Sequence, residues 1–150
     1  MRKIAIVGPE SSGKTALCKA LAAHYDAPWV EECARGYLEN QDGRYVEADL
    51  LAIASLQHDI EIFEGNRAWD RHMEQHAHLA SAYDPTGPNM PVRYPELPLL
   101  LCDTDMITVR IWSEEKFGRC DPALVKLTEE WAYDYWLLCR PDIPWEPDPL

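Results

Sequence analysis

The residues whose types and spacing could do chemistry begin at Gly8. The run Gly8-Pro9-Glu10-Ser11-Ser12-Gly13-Lys14-Thr15 sets two glycines around a turn and ends it with a lysine and a hydroxyl. Glycines there let consecutive backbone N–H groups point inward at an anion, Lys14 adds a cation for the β and γ phosphates, and Thr15 offers a hydroxyl to Mg²⁺. Together these are the parts of a P-loop. The nucleotide-binding positions are therefore Gly8, Glu10, Ser11, Ser12, Gly13, Lys14, Thr15 and, in the helix that follows, Leu17, and the expected cofactors are ATP and Mg²⁺.

A second chemical group stands at Asp103-Thr104-Asp105, directly after the apolar run Leu99-Leu100-Leu101-Cys102. That order predicts a carboxylate at the carboxyl end of a strand beside the first one, where it reaches a magnesium shell or an acceptor hydroxyl. Next to a P-loop this role for Asp103 outweighs simple helix capping, and Thr15 and Asp103 are the metal candidates. Asp105 either assists the metal or caps the next helix, and Glu31 and Glu32 are placed to accept a proton from a hydroxyl. Arg35 carries a planar fork of donors, and Gln57, polar within an apolar helical stripe, has the paired donor and acceptor that read an amide or a base edge. His72 and His76 are four apart and could share a helical face, but no third zinc ligand accompanies them, and a solvated segment is expected there.

The elements that must position these groups follow from hydrophobic period. Ile4-Ala5-Ile6-Val7 is continuous rather than alternating, as in a parallel strand covered on both faces. Leu17, Leu21 and Tyr25 make a helical stripe that ends at Asp26-Ala27-Pro28, and Pro28-Trp29-Val30 predicts a short second strand. A short helix over residues 34–40, the turn Gln41-Asp42-Gly43 and a long amphipathic helix over residues 47–69 come next. Residues 72–98 are rich in histidine, proline, glycine and asparagine and predict a flexible excursion. After Asp105, a helix from Met106 to Trp112 and another over residues 122–131 lead to a further buried strand, Tyr135-Trp136-Leu137-Leu138-Cys139. The order is an α/β one, a parallel sheet of four strands flanked by helices in three α/β/α layers, in one domain of 150 residues. The tail over residues 140–150 has too many prolines for helix or central strand.

Bulk composition narrows the partners. With 26 acidic against 14 basic residues the formal charge is −12, which opposes nucleic acid and anionic membrane as partners. Five cysteines, an odd number and none in a CxxC pair, predict reduced thiols and a cytoplasmic setting, and the N-terminus shows no signal-peptide pattern.

Taken together, the run from Gly8 to Thr15, the stretch Glu31-Glu32-Cys33-Ala34-Arg35-Gly36-Tyr37-Leu38-Glu39, Gln57, and Asp103-Thr104-Asp105-Met106-Ile107-Thr108 resemble the ribosylnicotinamide kinase domain of the bifunctional NadR family. The later Tyr133-Asp134-Tyr135-Trp136 and Arg140-Pro141-Asp142-Ile143-Pro144-Trp145 look like that family's fourth strand and its exit toward a lid, and only residues from about 72 to 98 are foreign to it. The resemblance implies ATP-dependent phosphorylation of the 5′-hydroxyl of nicotinamide riboside in NAD salvage. It implies catalytic roles for Lys14, Asp103, Glu32 and Arg35, and a nucleoside site built from Glu32, Arg35, Tyr37, Gln57 and Asp105. Two departures are expected: no adenylyltransferase domain precedes the P-loop, and residues 140–150 begin a lid that is cut short before its arginines and the last strand. Either a homodimer or a truncation then accounts for the unpaired sheet edge. The rival readings are another nucleoside or nucleotide kinase and an ATP-binding regulatory module without turnover.

Overall fold

The computed structural model describes residues 1–41, 44–77 and 97–145. The Asp42-Gly43 part of the expected turn, residues 78–96 of the expected excursion and residues 146–150 of the tail lie outside them.

The chain runs β1 (Arg2–Val7), α1 (Lys14–Tyr25), β2 (Trp29–Val30), α2 (Cys33–Glu39), α3 (Glu47–Gln75), β3 (Leu99–Asp103), α4 (Met106–Phe117), α5 (Pro122–Glu130) and β4 (Tyr135–Leu138). The four strands form one sheet in the order β2-β3-β1-β4, and every pairing is parallel. Parallel neighbours need crossovers, and the helices between the strands supply them, which makes both faces of the sheet apolar. Strand residues accordingly alternate between two cores: Ile4, Ile6, Leu99 and Leu101 pack with Cys18 and Ala22 of α1, whereas Ala5, Leu100 and Cys102 pack with Val30, Tyr133 and Ile60 on the α3 side. A third cluster joins α2, α3, α4 and α5 through Leu38, Leu50, Ile53, Val109 and Leu124.

Short polar residues and a glycine bound the later helices. Asp105 caps α4 by accepting from the Thr108 N–H at 2.8 Å, and Asp121 caps α5 with Pro122 in its first turn. Gly118, at φ 67°, ends α4 in the left-handed conformation. Among the described residues no helix is long and apolar enough to cross a membrane.

Two expectations are corrected. The long helix does not stop near Trp69 but reaches Gln75, because its buried face continues at helical spacing through Gly65, Ala68 and His72. His72 is therefore a buried helical residue, 8% exposed, rather than part of a solvated segment. The strand at 135–138 exists but is not buried: Tyr135, Trp136, Leu137 and Leu138 are all exposed. It lies at the sheet edge beside β1, where neighbouring elements cover neither of its faces fully.

Candidate functional site

Parallel strands bring their carboxyl ends to one edge, and there the chemistry gathers. Ile6 of β1 stands opposite Asp103 of β3, Val30 of β2 opposite Cys102, and Val7 opposite Leu138. The loop after β1, the Glu31-Glu32 step after β2, the Asp103 carboxylate and the exit of β4 therefore share one rim.

The loop from Gly8 to Gly13 is shaped by residues with positive φ, Gly8 at 151°, Ser11 at 56° and Gly13 at 81°. At Gly8 a side chain is barred twice over, since a Cβ there would stand 2.5 Å from the Cys139 carbonyl oxygen. Gly13 is the N-cap of α1 and has no side chain with which to cap it, so the first amides of the helix stay available to an anion. Lys14 Nζ donates to the Pro9 carbonyl at 3.0 Å, which holds the ammonium against the loop. Ile143 approaches Gly13, its Cδ1 lying 3.4 Å from where a Cβ would be, so the segment after β4 comes close to the loop.

Asp103 is the central group. It is fully buried, and its Oδ2 accepts from the Thr15 hydroxyl at 2.5 Å. Burial raises its pKa above the ordinary carboxylate value; the Thr15 hydrogen bond, Lys14 and Arg35 pull it down, and Glu31 pushes it up. Those influences place Lys14, Glu31 and Arg35 electrostatically around one carboxylate. Three buried polar atoms at this rim have no hydrogen-bond partner among the described residues: Ser12 Oγ, Asp103 Oδ1 and Thr104 Oγ1. Buried polar atoms are otherwise paired in folded chains, so these three have capacity to bond a ligand or ordered water beside the loop. Thr104 itself sits at φ 78°, a conformation that costs a β-branched residue about 1–3 kcal/mol. Its N–H nevertheless bonds the Ile6 carbonyl at 2.9 Å, which ties the end of β3 to β1.

The donor set suits Mg²⁺. Thr15 and Asp103 already meet, Asp103 Oδ1 is buried and unpartnered, and both residues present the hard oxygen that this cation prefers. Among the described residues no group of three or more histidine, cysteine, aspartate or glutamate side chains is placed to hold a metal ion.

The other expected residues divide. Glu32 is the half-buried N-cap residue of α2, and Arg35 is a half-buried residue in the first turn of that helix. Glu10 and Leu17 are exposed at the loop and on α1. Three residues expected on the nucleoside side are occupied within the protein. Tyr37 donates its hydroxyl to Asp49 Oδ1 at 2.9 Å, fastening α2 to the first turn of α3. Asp105 spends Oδ1 on the Thr108 N–H and hydroxyl, and Oδ2 on Trp136 Nε1 at 2.9 Å. Gln57 is 2% exposed, with its Oε1 accepting from the Cys33 N–H at 3.1 Å. Burial, then the Glu61, Glu32 and Glu31 carboxylates, push the neighbouring Cys33 thiol up to about 11. Sequence reasoning missed Glu61, which shares the buried face of α3 with Gln57 one helical turn away; an acid at that spacing within an apolar stripe was the available signal.

A profile of an AAA domain family matches residues 3–79 and 92–150. The chain belongs to this AAA domain family. The segments that the AAA domain profile covers include the loop, the 31–39 segment and Asp103-Thr104-Asp105. Among curated proteins, the whole chain aligns with the trifunctional NAD biosynthesis/regulator protein NadR of Salmonella typhimurium strain LT2 at 24% identity over 157 residues. It aligns with the NadR of Escherichia coli strain K12 at 25% identity over 150 residues. The chain spans 31% of the length of either relative. Among solved structures, the NadR protein in complex with NR superposes with a TM-score of 0.61 at 22% identity, over 92% of this chain and 33% of that one. That likeness shows the fold, a three-layer α/β/α P-loop NTPase. The family match and the loop geometry make this AAA domain a P-loop nucleotide-binding domain, consistent with the NadR resemblance carried by its motifs.

Proposed function

We propose that this chain is an ATP-dependent small-molecule kinase domain that phosphorylates the 5′-hydroxyl of nicotinamide riboside to give nicotinamide mononucleotide. The observation that carries the kinase reading is Asp103: a buried carboxylate held by Thr15, whose other oxygen has no hydrogen-bond partner among the described residues, within electrostatic reach of Lys14, Glu31 and Arg35. The choice of nicotinamide riboside is supported by the similarity to NadR, whose structure was solved with NR.

Phosphoryl transfer needs positioning and charge neutralisation more than covalent help. The loop amides and Lys14 hold the β and γ phosphates, and Thr15 and Asp103 would hold Mg²⁺, which when bound supplies neutralising charge to those oxygens. The acceptor oxygen forms the new bond to the γ phosphorus as the bridging bond to the β phosphate breaks and ADP leaves with the electron pair. The acceptor proton passes to a carboxylate at the rim, Asp103 or Glu32. Arg35 supports the developing negative charge.

The test is ADP release with ATP and Mg²⁺ across nicotinamide riboside, thymidine, deoxycytidine and no acceptor, with Lys14→Ala as background. Stimulation by nicotinamide riboside alone, reduced about 10²–10³-fold or more in Lys14→Ala, is expected. Stimulation by a different nucleoside refutes the acceptor assignment, and saturable ATP binding with no stimulation by any of them refutes the kinase reading.

A further inference from the structure

The face of α3 that packs on the sheet carries a carboxylate for which phosphate binding has no use. Glu61 is fully buried, and its oxygens collect donors from across the chain. Trp131 Nε1 lies 2.6 Å from Oε2 and Lys3 Nζ 3.4 Å from the same oxygen. The Tyr133 hydroxyl lies 2.9 Å from Oε1 and Gln57 Nε2 3.3 Å from it. Lys3 is itself enclosed, its Nζ 3.4 Å from the centre of the Trp131 ring and 4.4 Å from that of Tyr133. The ends of the carboxylate are thus anchored to β1, to the segment after α5 and to its own helix.

An ionised carboxylate only accepts hydrogen bonds. The Gln57 amide must therefore turn its NH₂ toward Glu61, which leaves Oε1 facing the opposite way, where it accepts the Cys33 N–H at 3.1 Å. Gln57 is 2% exposed, so little solvent reaches it to replace either bond. Cys33 opens α2. It lies two residues after Glu31 and two before Arg35, both of which act on the Asp103 carboxylate. Orientation is transmitted from a buried charge, through one amide, to the turn that sets the acceptor edge of the site.

We propose that Glu61 is a positioning residue: by fixing the orientation of the Gln57 amide it holds the first turn of α2, and with it Glu31 and Arg35, at the Asp103 edge. That the edge receives the acceptor rests on the kinase reading above; the anchoring of α2 does not. Glu61→Gln keeps the shape but can present its own NH₂ to Gln57, so that the Gln57 amide is free to turn over and face Cys33 with a donor.

Two readouts separate the ideas. Hydrogen exchange of the Cys33 amide needs no substrate, and in Glu61→Gln it should rise about tenfold, the equivalent of losing one net hydrogen bond, while the amides of β1 hold their protection. In steady-state assays the same variant should raise KM for nicotinamide riboside about fivefold or more, with KM for ATP unchanged. Where Glu61→Gln fails to fold, Gln57→Leu leaves Glu61 with Lys3, Trp131 and Tyr133 and carries the same two measurements. Cys33 exchange equal to that of the parent overturns the proposal, and so does a rise spread evenly over β1 and α2, which would make Glu61 a general stabiliser. A local rise in a chain whose parent phosphorylates no nucleoside upholds the anchoring and refutes the kinase reading instead.

Discussion

Replacing Thr15 with valine removes one hydroxyl, preserves shape, and leaves Asp103 Oδ2 without the donor that stands 2.5 Å away. Asp103 is fully buried and, among the described residues, its other oxygen has no hydrogen-bond partner, so no second donor among them makes good the loss. A hydrogen bond to a charged group contributes about 1.5–3 kcal/mol, against about 0.5–1.5 kcal/mol between neutral groups. Thr15→Val should therefore lower unfolding free energy by about 1.5–3 kcal/mol at neutral pH, read by urea denaturation. In an Asp103→Asn background the acceptor is neutral and the same change should cost about 1 kcal/mol less, a coupling that a double-mutant cycle resolves. The sign with pH follows from the direction of the shift. Burial raises the Asp103 pKa and the Thr15 bond lowers it, so losing the bond lets it climb further. The penalty of Thr15→Val is then full where Asp103 is ionised in the parent and shrinks in acid, where both proteins hold it protonated. Thr15→Ser, which keeps the hydroxyl, should restore most of the loss. Equal costs in the Asp103 and Asn backgrounds, or a penalty unchanged in acid, would refute the assignment of Thr15 as the donor to an ionised carboxylate.

Other outcomes follow from the same rim. Asp103→Asn should raise stability at neutral pH while abolishing Mg²⁺-dependent nucleotide binding: a carboxyl whose folded pKa is raised stabilises the fold below its unfolded pKa and loses that contribution as pH rises through the folded one, so parent and variant should converge in acid. Thermal melts across pH and nucleotide titrations with and without Mg²⁺ check both halves. Gly8→Ala should destabilise by about 1–3 kcal/mol, since φ is 151° and a Cβ would press on the Cys139 carbonyl, whereas Gly118→Ala, at φ 67° in open space, should cost about 1 kcal/mol. Parallel urea titrations of the two would show the difference.

Much of this protein was legible before any coordinate. The loop and its flanking strand and helix are one contiguous stretch, and the four parallel strands follow from apolar runs separated by helical stripes. Asp103 could be placed because a strand end is a local property: Leu99-Leu100-Leu101-Cys102 stops and the acid follows. The cap at Asp105, one of the two roles open to it in the sequence, obeys a rule that reaches only a few residues along the chain. Such features depend on neighbours in sequence, and the amino-acid order determines them.

What the tertiary structure alone decided involves partners far apart in the chain. Lys3 meets Glu61, and Glu61 meets Trp131 and Tyr133, across separations of about half the chain, so no local period announces them. The Gln57 amide, suited in isolation to reading a ligand, is committed to Glu61 and Cys33 once α3 docks on the sheet. Tyr37 and Asp105 are likewise occupied by Asp49 and Trp136. The exposure of Tyr135-Trp136-Leu137-Leu138, an apolar run that reads as buried, was set by its place at the sheet edge. Hydrophobicity and hydrogen-bonding capacity are written in the residues; which group uses them up depends on what the fold brings within about 3 Å.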